Sequence, residues 1–370
     1  QDLKKTLGKA IKDRAENKRR KAMGLKPVRA AGFPVHKKWE FATGLRMQVV
    51  ASKNQAFREA WAEGKLLLPG LGLLRVREHG YRWPATPPSL ITLSRSAGNA
   101  WHVSFVCVEG EARSARRRRL DREGRDWEDL PVDERGLPAI EALDMSLADK
   151  AVSNVHGKMG RKRYLKECAN RLRFRNKQLA RRQKGTGRWK KSVRKLGRLH
   201  DQVKNERAHE NRAQAQAVAN RSAIVCVETL KTQFMFKNKH LAQSVADLGW
   251  GQFLKELEQA MAVRGHLLLY AGQFDPTTQT CPGCGFKNVS LKGAKALHIR
   301  SWDCPSCQLH HDRDEAAADN IQDFAMERFL ESYSVTGGER VPGIEQLHPD
   351  LARFISRGGM TAFRRETARE

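Results

Sequence analysis

Apolar positions along this chain fall into two regimes. Between about residues 32 and 115 they recur over short runs. Leu66-Leu67-Leu68 and Leu73-Leu74-Arg75-Val76-Arg77 flank Gly70-Leu71-Gly72, and Ile91, Leu93, Val103 and Phe105 alternate on either side of Ala97-Gly98-Asn99. A period of two, punctuated by turn residues, predicts strands and hairpins, so this stretch reads as a small β-barrel or sandwich. Beyond Leu137 the pattern changes. Residues 139–147 and 150–156 read as paired strands. A helical pair follows over about 160–183 and 188–221, broken at Gly185-Thr186-Gly187 and striped by Leu165, Cys168, Leu172 and Leu179, then by Val193, Leu196, Leu199 and Val203. Residues 224–227 and 267–271 are short buried strands. Trp250, Phe253, Leu254, Leu257 and Met261 mark an amphipathic helix between them, and 316–330 is a helix with Ala317, Ile321 and Phe324 inward. Strand pair, helices, strand, helix, strand, helix predicts an α/β layer on a mixed sheet. Leu3, Leu7 and Ile11 place one helix in the basic first 31 residues. Residues 109–138 are charged and irregular, as a linker would be, and the last 35 or so are Gly-containing and weakly periodic, which predicts a loosely held tail.

Length and charge sharpen this picture. At 370 residues the chain exceeds one compact core, so two or three domains are expected. Lys plus Arg number 69 against 41 for Asp plus Glu, a net charge of +28, which draws polyanions over long range and makes nucleic acid a better partner than a membrane surface. The charge is densest over 158–198, where eighteen Lys/Arg stand against Glu167 alone. Such a face would repel itself without a polyanion. Arg171, Arg173, Arg175, Lys177, Arg181, Arg182, Arg188, Lys190, Lys191 and Arg194 are therefore candidate phosphate contacts, with Trp189 either stacking on a base or packing internally. No run of about eighteen apolar residues spans a membrane, and no signal sequence opens the chain. It begins at Gln1 without Met, so the natural N-terminus is expected upstream. Cys107, Cys168 and Cys226 sit in apolar or helical contexts as reduced thiols, which fits a cytoplasmic, nucleoid-associated protein.

Two motifs carry chemistry. Cys281 and Cys284, nineteen residues, then Cys304 and Cys307 have the spacing of a four-thiolate zinc ribbon. His310 and His311 follow, and with four cysteines present they read as strand or lid residues rather than ligands. Three acids occupy unusual places. Asp144 ends one apolar strand, Glu228 ends another, and Asp314 opens the last helix, where the helix dipole tolerates a carboxylate. Singly, each could be a cap or an ion pair. Three on one sheet, amid so much positive charge, suit the hard oxygen ligands that magnesium needs at a phosphodiester.

The order Asp, Glu, ribbon, Asp resembles that of the RuvC-type nucleases of the TnpB group and their descendants, the compact type V CRISPR effectors. Gly32-Phe33-Pro34-Val35-His36-Lys37-Lys38 is similar to the Gly-Phe-Pro-x-x-Lys-Lys lead-in to their wedge barrel, and Ala100-Trp101-His102-Val103-Ser104-Phe105 to that barrel's last strands. Residues 142–146 stand where the family has Gly-Ile-Asp-x-Gly, and Val227-Glu228-Thr229-Leu230 where it has Glu-Asp-Leu. Thr277-Thr278-Gln279-Thr280-Cys281-Pro282-Gly283-Cys284-Gly285 resembles its Ser-Ser-x-x-Cys-x-x-Cys-Gly, and residues 312–321 resemble Asp-Arg-Asp-x-Asn-Ala-Ala-x-Asn-Ile. The resemblance covers about residues 32–332. It implies an RNase H-like (RuvC) fold over 139–275 and 309–335 with a target-binding zinc ribbon inserted at 276–308. Before it would come a helical recognition-lobe remnant at 1–31, a wedge β-barrel at 32–115 and a linker at 116–138, with a loose tail at 336–370 after it. It further implies guide RNA and target DNA as partners, a monomer or homodimer, structural zinc on the four cysteines, and catalytic magnesium on Asp144, Glu228 and Asp314. Asp312 and Asn320 would support that triad.

Three departures stand out. Ala142 and Ser146 replace the family's glycines around Asp144, and Ala316 replaces an Asn. Because some members of the group bind targets without cutting, the sequence leaves two readings open: an RNA-guided DNA endonuclease, or an RNA-guided binder that blocks its target. A transposase or junction resolvase without guide RNA is the third, disfavoured because a DNA-integrating transposase typically orders its acids Asp, Asp, Glu.

Overall fold

The structure is a computed structural model, and it describes residues 12–13, 15–25, 44–48, 54–68, 71–74, 76, 86–106, 130–230, 232–238, 241–293, 296, 298–335 and 348–356. These form two compact units, 1–96 with 100–108, and 97–99 with 109–370. The 32–38 motif, Cys107 and most of the linker lie outside the described residues.

In the first unit, β1 (Gly44–Gln48) is followed by a helix, α1 (Gln55–Ala62), then by the hairpin β2 (Leu66–Leu68) and β3 (Gly72–Leu74), and by β4 (Leu90–Arg95) and β5 (Trp101–Val106). Strands β1, β4 and β5 pair antiparallel in that order, and β2 pairs with β3 in a separate sheet. The helix corrects the expectation of strands throughout. Asn54 accepts the Phe57 N–H at 3.0 Å, an N-cap. Phe57 and Trp61, one turn apart, then bury against Leu66, Leu68 and Ile91, and Trp61 meets Phe105 edge-on at 4.9 Å between ring centres. The described strands form two sheets of three and two strands, without closing a barrel.

The second unit is built on a five-stranded mixed sheet. Its strands are β6 (Ile140–Asp144), β7 (Val152–Ser153), β8 (Gly157–Lys158), β9 (Ile224–Glu228) and β10 (Leu267–Ala271), in the order β10-β9-β6-β7-β8. The first three in that order run parallel, while β7 pairs antiparallel with both β6 and β8. Helices α2 (Tyr164–Ala180) and α3 (Gly187–Arg221) form the long basic pair. The turn Thr186 caps α3 by accepting the Trp189 N–H. After β9 come α4 (Thr232–Met235), α5 (Ala242–Leu248) and α6 (Trp250–Arg264); after β10 come the ribbon strands β11 (Ser301–Asp303) and β12 (His310–Asp312), then α7 (Arg313–Val335) and α8 (Pro349–Ser356).

Side-chain alternation assigns the two faces of this sheet. Leu143, Val225 and Val227 point into a core with Ala215 and Val218 of α3 and Phe253, Leu257 and Met261 of α6. Ile140, Ala142, Ile224, Cys226, Leu269 and Ala271 point the other way, onto Ile321, Ala325, Met326 and Phe329 of α7. Glu141 falls on the α3 side and is 1 % exposed. Its Oε2 accepts from Arg221 Nε at 2.9 Å and the Ser222 hydroxyl at 2.7 Å, and its Oε1 from Arg221 Nη2, all at the end of α3, so a charge sits mid-strand without an orphaned oxygen. Leu351 and Ile355 of α8 are buried beside α7, and the His348 N–H donates to the Gly265 carbonyl. That corrects the expectation of a loose tail over 336–370, at least for 348–356: two apolar residues one turn apart were enough to dock a short helix.

Candidate functional site

The same alternation locates the acids. Asp144 shares its parity with Ile140 and Ala142, and Glu228 with Ile224 and Cys226, so both strands turn their terminal carboxylate to the face that α7 covers. Leu143 lies opposite Val227 in the parallel register, which sets Asp144 and Glu228 side by side at the carboxyl ends of neighbouring strands. Asp314 lies in the first turn of α7. Asp312 is the cap of that helix, its Oδ1 accepting the N–H groups of Asp314 at 2.9 Å and Glu315 at 3.2 Å.

Electrostatics couples the three. Burial, then the charge of Glu228, then that of Asp314 push the Asp144 carboxyl well above its usual range, against an opposing pull from Arg313 and the Met145 N–H. Burial likewise raises Glu228, with the Met145 N–H favouring its ionised form. The four cysteines are the only close metal-holding group among the described residues. The carboxylates interact at longer range, and the nearest cation to Asp314 is Arg300, whose Nη1 lies 3.4 Å from both its oxygens. That arginine is 64 % exposed, free to leave as a ligand arrives.

Folding raises Asp144, so the metal-free fold holds this proton more tightly than the unfolded chain does. Stability from the group is full below about pH 4 and is lost as pH rises through the folded value. Asp144→Asn should therefore raise the melting temperature in magnesium-free, zinc-replete buffer by a few degrees at pH 7.5 and hardly at all at pH 4.5. Scanning fluorimetry of both proteins at the two pH values checks this, and an equal shift at both would count against it.

The residues around the acids explain how the sequence tolerates its departures. Ala142 lies in a regular strand, its N–H donating to Asn154 Oδ1 at 2.8 Å and its carbonyl accepting the Asn154 N–H at 3.2 Å, with its Cβ in the α7 core. Ser146 has negative φ, and its hydroxyl accepts the Ala148 N–H. Ala316 is buried. Neither Ala142 nor Ser146 sits where glycine's backbone freedom is required. The loop after Asp144 is pinned by Lys150, which is 3 % exposed: its ammonium donates to Asn211 and Gln214 of α3, and its carbonyl accepts the Trp250 indole N–H at 2.9 Å.

In the ribbon, the sulfurs of Cys281, Cys284, Cys304 and Cys307 all lie within 4.8 Å of one another. Cys281–Cys307 and Cys284–Cys304 are both 3.6 Å apart. Tetrahedral zinc with bonds of about 2.3 Å would set sulfurs about 3.8 Å apart, so the donor set fits that ion. The two knuckles have matching backbones. Gly285 N–H donates to Cys281 O, and Gln308 N–H to Cys304 O, each at 2.8 Å, and both donors have positive φ, +73° and +62°. His310 and His311 lie on β12, with His311 Nε2 3.1 Å from Cys281 Sγ.

Asn320 goes elsewhere than the triad: its Nδ2 donates to the carbonyls of Thr277 at 2.7 Å and Thr280 at 2.8 Å, tying α7 to the segment that leads into the ribbon. The residue that sequence reasoning passed over is Arg313. It is 4 % exposed, and its guanidinium donates to the carbonyls of Leu291, Ala296 and Ile299. A lone arginine between two acids was the available signal. Of the basic candidates, Arg171, Arg173, Lys177, Arg181, Arg188, Lys190, Lys191 and Arg194 are exposed, while Arg175 and Arg182 are partly covered and bond Gln178 and the Arg188 carbonyl. No helix among the described residues is long and apolar enough to cross a membrane.

Residues 142–239 match the OrfB_IS605 family, described as a probable transposase, and residues 250–321 match the Cas12f1-like TNB domain. Together the two stretches contain all three acids and all four cysteines. A Streptomyces pristinaespiralis protein provisionally named an RNA-guided DNA endonuclease is 24 % identical over 234 residues, 63 % of this chain and 52 % of its own length. A Mycobacterium tuberculosis protein of the same provisional name is 26 % identical over 160 residues, 42 % of this chain and 32 % of its own length. The chain thus spans about half the length of the first of these curated relatives and about a third of the second. Among solved structures, a Cas12f1–sgRNA–target DNA complex is similar at 16 % identity and a TM-score of 0.33, covering 63 % of this chain and 55 % of that one. A CRISPR-Cas12f ternary complex is similar at 19 % and 0.38, covering 64 % and 45 %. On its matched residues, the chain is similar to the OrfB_IS605 probable transposases and to the Cas12f1-like TNB domain.

Proposed function

We propose that this chain is the nuclease-bearing part of an RNA-guided DNA endonuclease that hydrolyses phosphodiester bonds of guide-complementary DNA. In this reading residues 139–275 and 309–335 are a RuvC-type, RNase H-like domain. Residues 276–308 are its zinc ribbon, and 32–115 a wedge-type barrel. The observation that supports it most is the shared parity of Asp144 and Glu228 on neighbouring parallel strand ends, on the face whose covering helix opens with Asp314. The names of the relatives point the same way.

Asp144, Glu228 and Asp314 would hold magnesium, a hard cation that suits an all-carboxylate donor set, and bound magnesium polarises a phosphoryl oxygen and acidifies water. The chain's own groups do the rest. Burial and then the charges of Glu228 and Asp314 raise Asp144, and the repulsive part is relieved when a cation arrives. Arg313 keeps the ribbon against the first turn of α7, and so fixes the direction in which Asp314 leaves the helix. The exposed cations of α2 and α3 would follow the phosphates of a guide or heteroduplex, giving affinity that falls steeply with salt, while base pairing with the guide supplies sequence choice.

A second reading, a guided binder that does not cut, is favoured by one observation: Ala142, Ser146 and Ala316 stand where the resembled family has two glycines and an Asn. Both readings need a guide. Purification with and without nuclease treatment, followed by sequencing of bound RNA, is expected to return one defined RNA species. Gel shifts with that RNA should then retain guide-matched duplex DNA over mismatched duplex. A protein carrying no sequence-defined RNA would sink both readings.

A further inference from the structure

Phe274 is 89 % exposed, more than any other large apolar side chain among the described residues. Single exposed apolar residues are ordinary on protein surfaces. What sets this one apart is the turn that presents it. Asp275 Oδ2 accepts the Gly272 N–H at 2.6 Å, and the Asp275 carboxylate is gripped by Arg328 of α7, with Nη2 at 2.8 Å from Oδ1 and Nε at 3.2 Å from Oδ2. A Cβ on Gly272 would meet the same guanidinium, so the missing side chain leaves room for Arg328 to reach Asp275. On the far side Thr277 N–H donates to the Asp275 carbonyl, and Asn320 holds the Thr277 and Thr280 carbonyls. Phe274 thus projects from a segment fixed at both ends.

Its position is equally specific. The turn begins at the last residue of β10, Ala271, which lies in register with Glu228, and the Thr229 hydroxyl donates to the Ala271 carbonyl at 2.7 Å. Three residues of chain put the Phe274 Cα at most about 11 Å from that of Ala271. An exposed aromatic side chain on a fixed turn therefore stands near the strand ends that carry the acids, in a chain of net charge +28. We propose that Phe274 is a stacking platform for a base of single-stranded DNA running past Asp144, Glu228 and Asp314. The assignment rests on the nuclease reading for its strand. It rests on geometry for the contact itself: every base has a π-face, and a ring presented to solvent by a fixed turn needs no rearrangement of the backbone to receive one.

The test uses the purified full chain in calcium at elevated salt, where non-specific phosphate binding is weakened. The probes are a dT20 oligonucleotide, an abasic strand of equal length, U20, and dT20 carrying one 2-aminopurine. Phe274→Ala should weaken dT20 binding about tenfold while leaving the abasic strand unchanged, and should abolish quenching of the 2-aminopurine. Phe274→Trp should restore both. Asp275→Asn, which loosens the turn while keeping the ring, should give an intermediate loss. Unchanged dT20 binding by Phe274→Ala, as a protein-docking residue would give, overturns the proposal, as does an equal loss on the abasic strand or a loss confined to U20. The nuclease reading fails separately: absence of guide-dependent DNA binding would remove it, whereas base-dependent dT20 binding through Phe274 would stand without a guide.

Discussion

Asp144→Ala, Glu228→Ala and Asp314→Ala are each expected to abolish cutting of guide-matched duplex DNA in magnesium while leaving guide-dependent binding intact. Each carboxylate in such a site helps supply several kcal/mol of transition-state charge stabilisation, so the loss should be about a thousandfold or more. The expectation follows from placement. Two of the acids end neighbouring parallel strands on one face, and the third opens the helix packed over that face. Charge couples them, since Glu228 and Asp314 both raise Asp144. A loss of cutting through unfolding is disfavoured for the same reason, because removing one member of a mutually repelling set relieves the metal-free fold. Cleavage on gels beside a gel shift of the same samples separates the outcomes. Cutting by the parent alone establishes the triad. Guide-dependent binding with no cutting by any of the four proteins would make this a binder, and would turn attention to Ala142, Ser146 and Ala316. Undiminished cutting by Asp144→Ala would remove the proposed metal site altogether.

The sheet strands and the acids were legible because they are local. Residues 224–227 and 267–271 are short apolar runs bounded by polar residues, a signal that burial on two faces produces directly. The acids at 144 and 228 are visible as the charges on which such runs end, and the cysteine pairs as fixed spacing. What escaped the sequence depends on partners far along the chain. Residues 55–62 offered only Asn54 and the Phe57/Trp61 pair as helix signals inside a strand-like region, and their burial against Leu66, Leu68 and Ile91 decided the matter. Helix α8 is short and its docking depends on the α7 side of the sheet, which no window around 349–356 contains. Asn320 looked like a helper of the acids because it shares their motif, yet its amide serves the Thr277–Thr280 segment more than forty residues earlier in part. Arg313, between Asp312 and Asp314, looked like surface charge, and its burial comes from ribbon carbonyls at 291–299.

Cys281→Ser and Cys304→Ser are expected to release zinc and unfold the ribbon while the five-stranded sheet persists. Both sulfurs are buried, and apart from the cysteines the ribbon's buried cluster holds only Leu291 and Trp302, with Ile299 packed against it. So few apolar side chains cannot hold some thirty residues in place, since small modules need a staple, and structural zinc supplies an apparent ~10–16 kcal/mol of folding free energy at neutral pH. Metal analysis should fall from one zinc per chain to none. Hydrogen exchange should lose protection over 281–312 and retain it in β6, β9 and β10, whose cores do not include the ribbon cysteines. Loss of cutting should follow, because the ribbon and the acids are joined: Arg313 donates its backbone N–H to the Arg300 carbonyl, and its buried guanidinium spans the 291–299 carbonyls. A melted ribbon leaves that guanidinium without acceptors at the very start of α7, where Asp314 is set. If exchange protection over 281–312 survives removal of the zinc, the ribbon is held by something other than its metal, and this coupling of ribbon to acid is wrong.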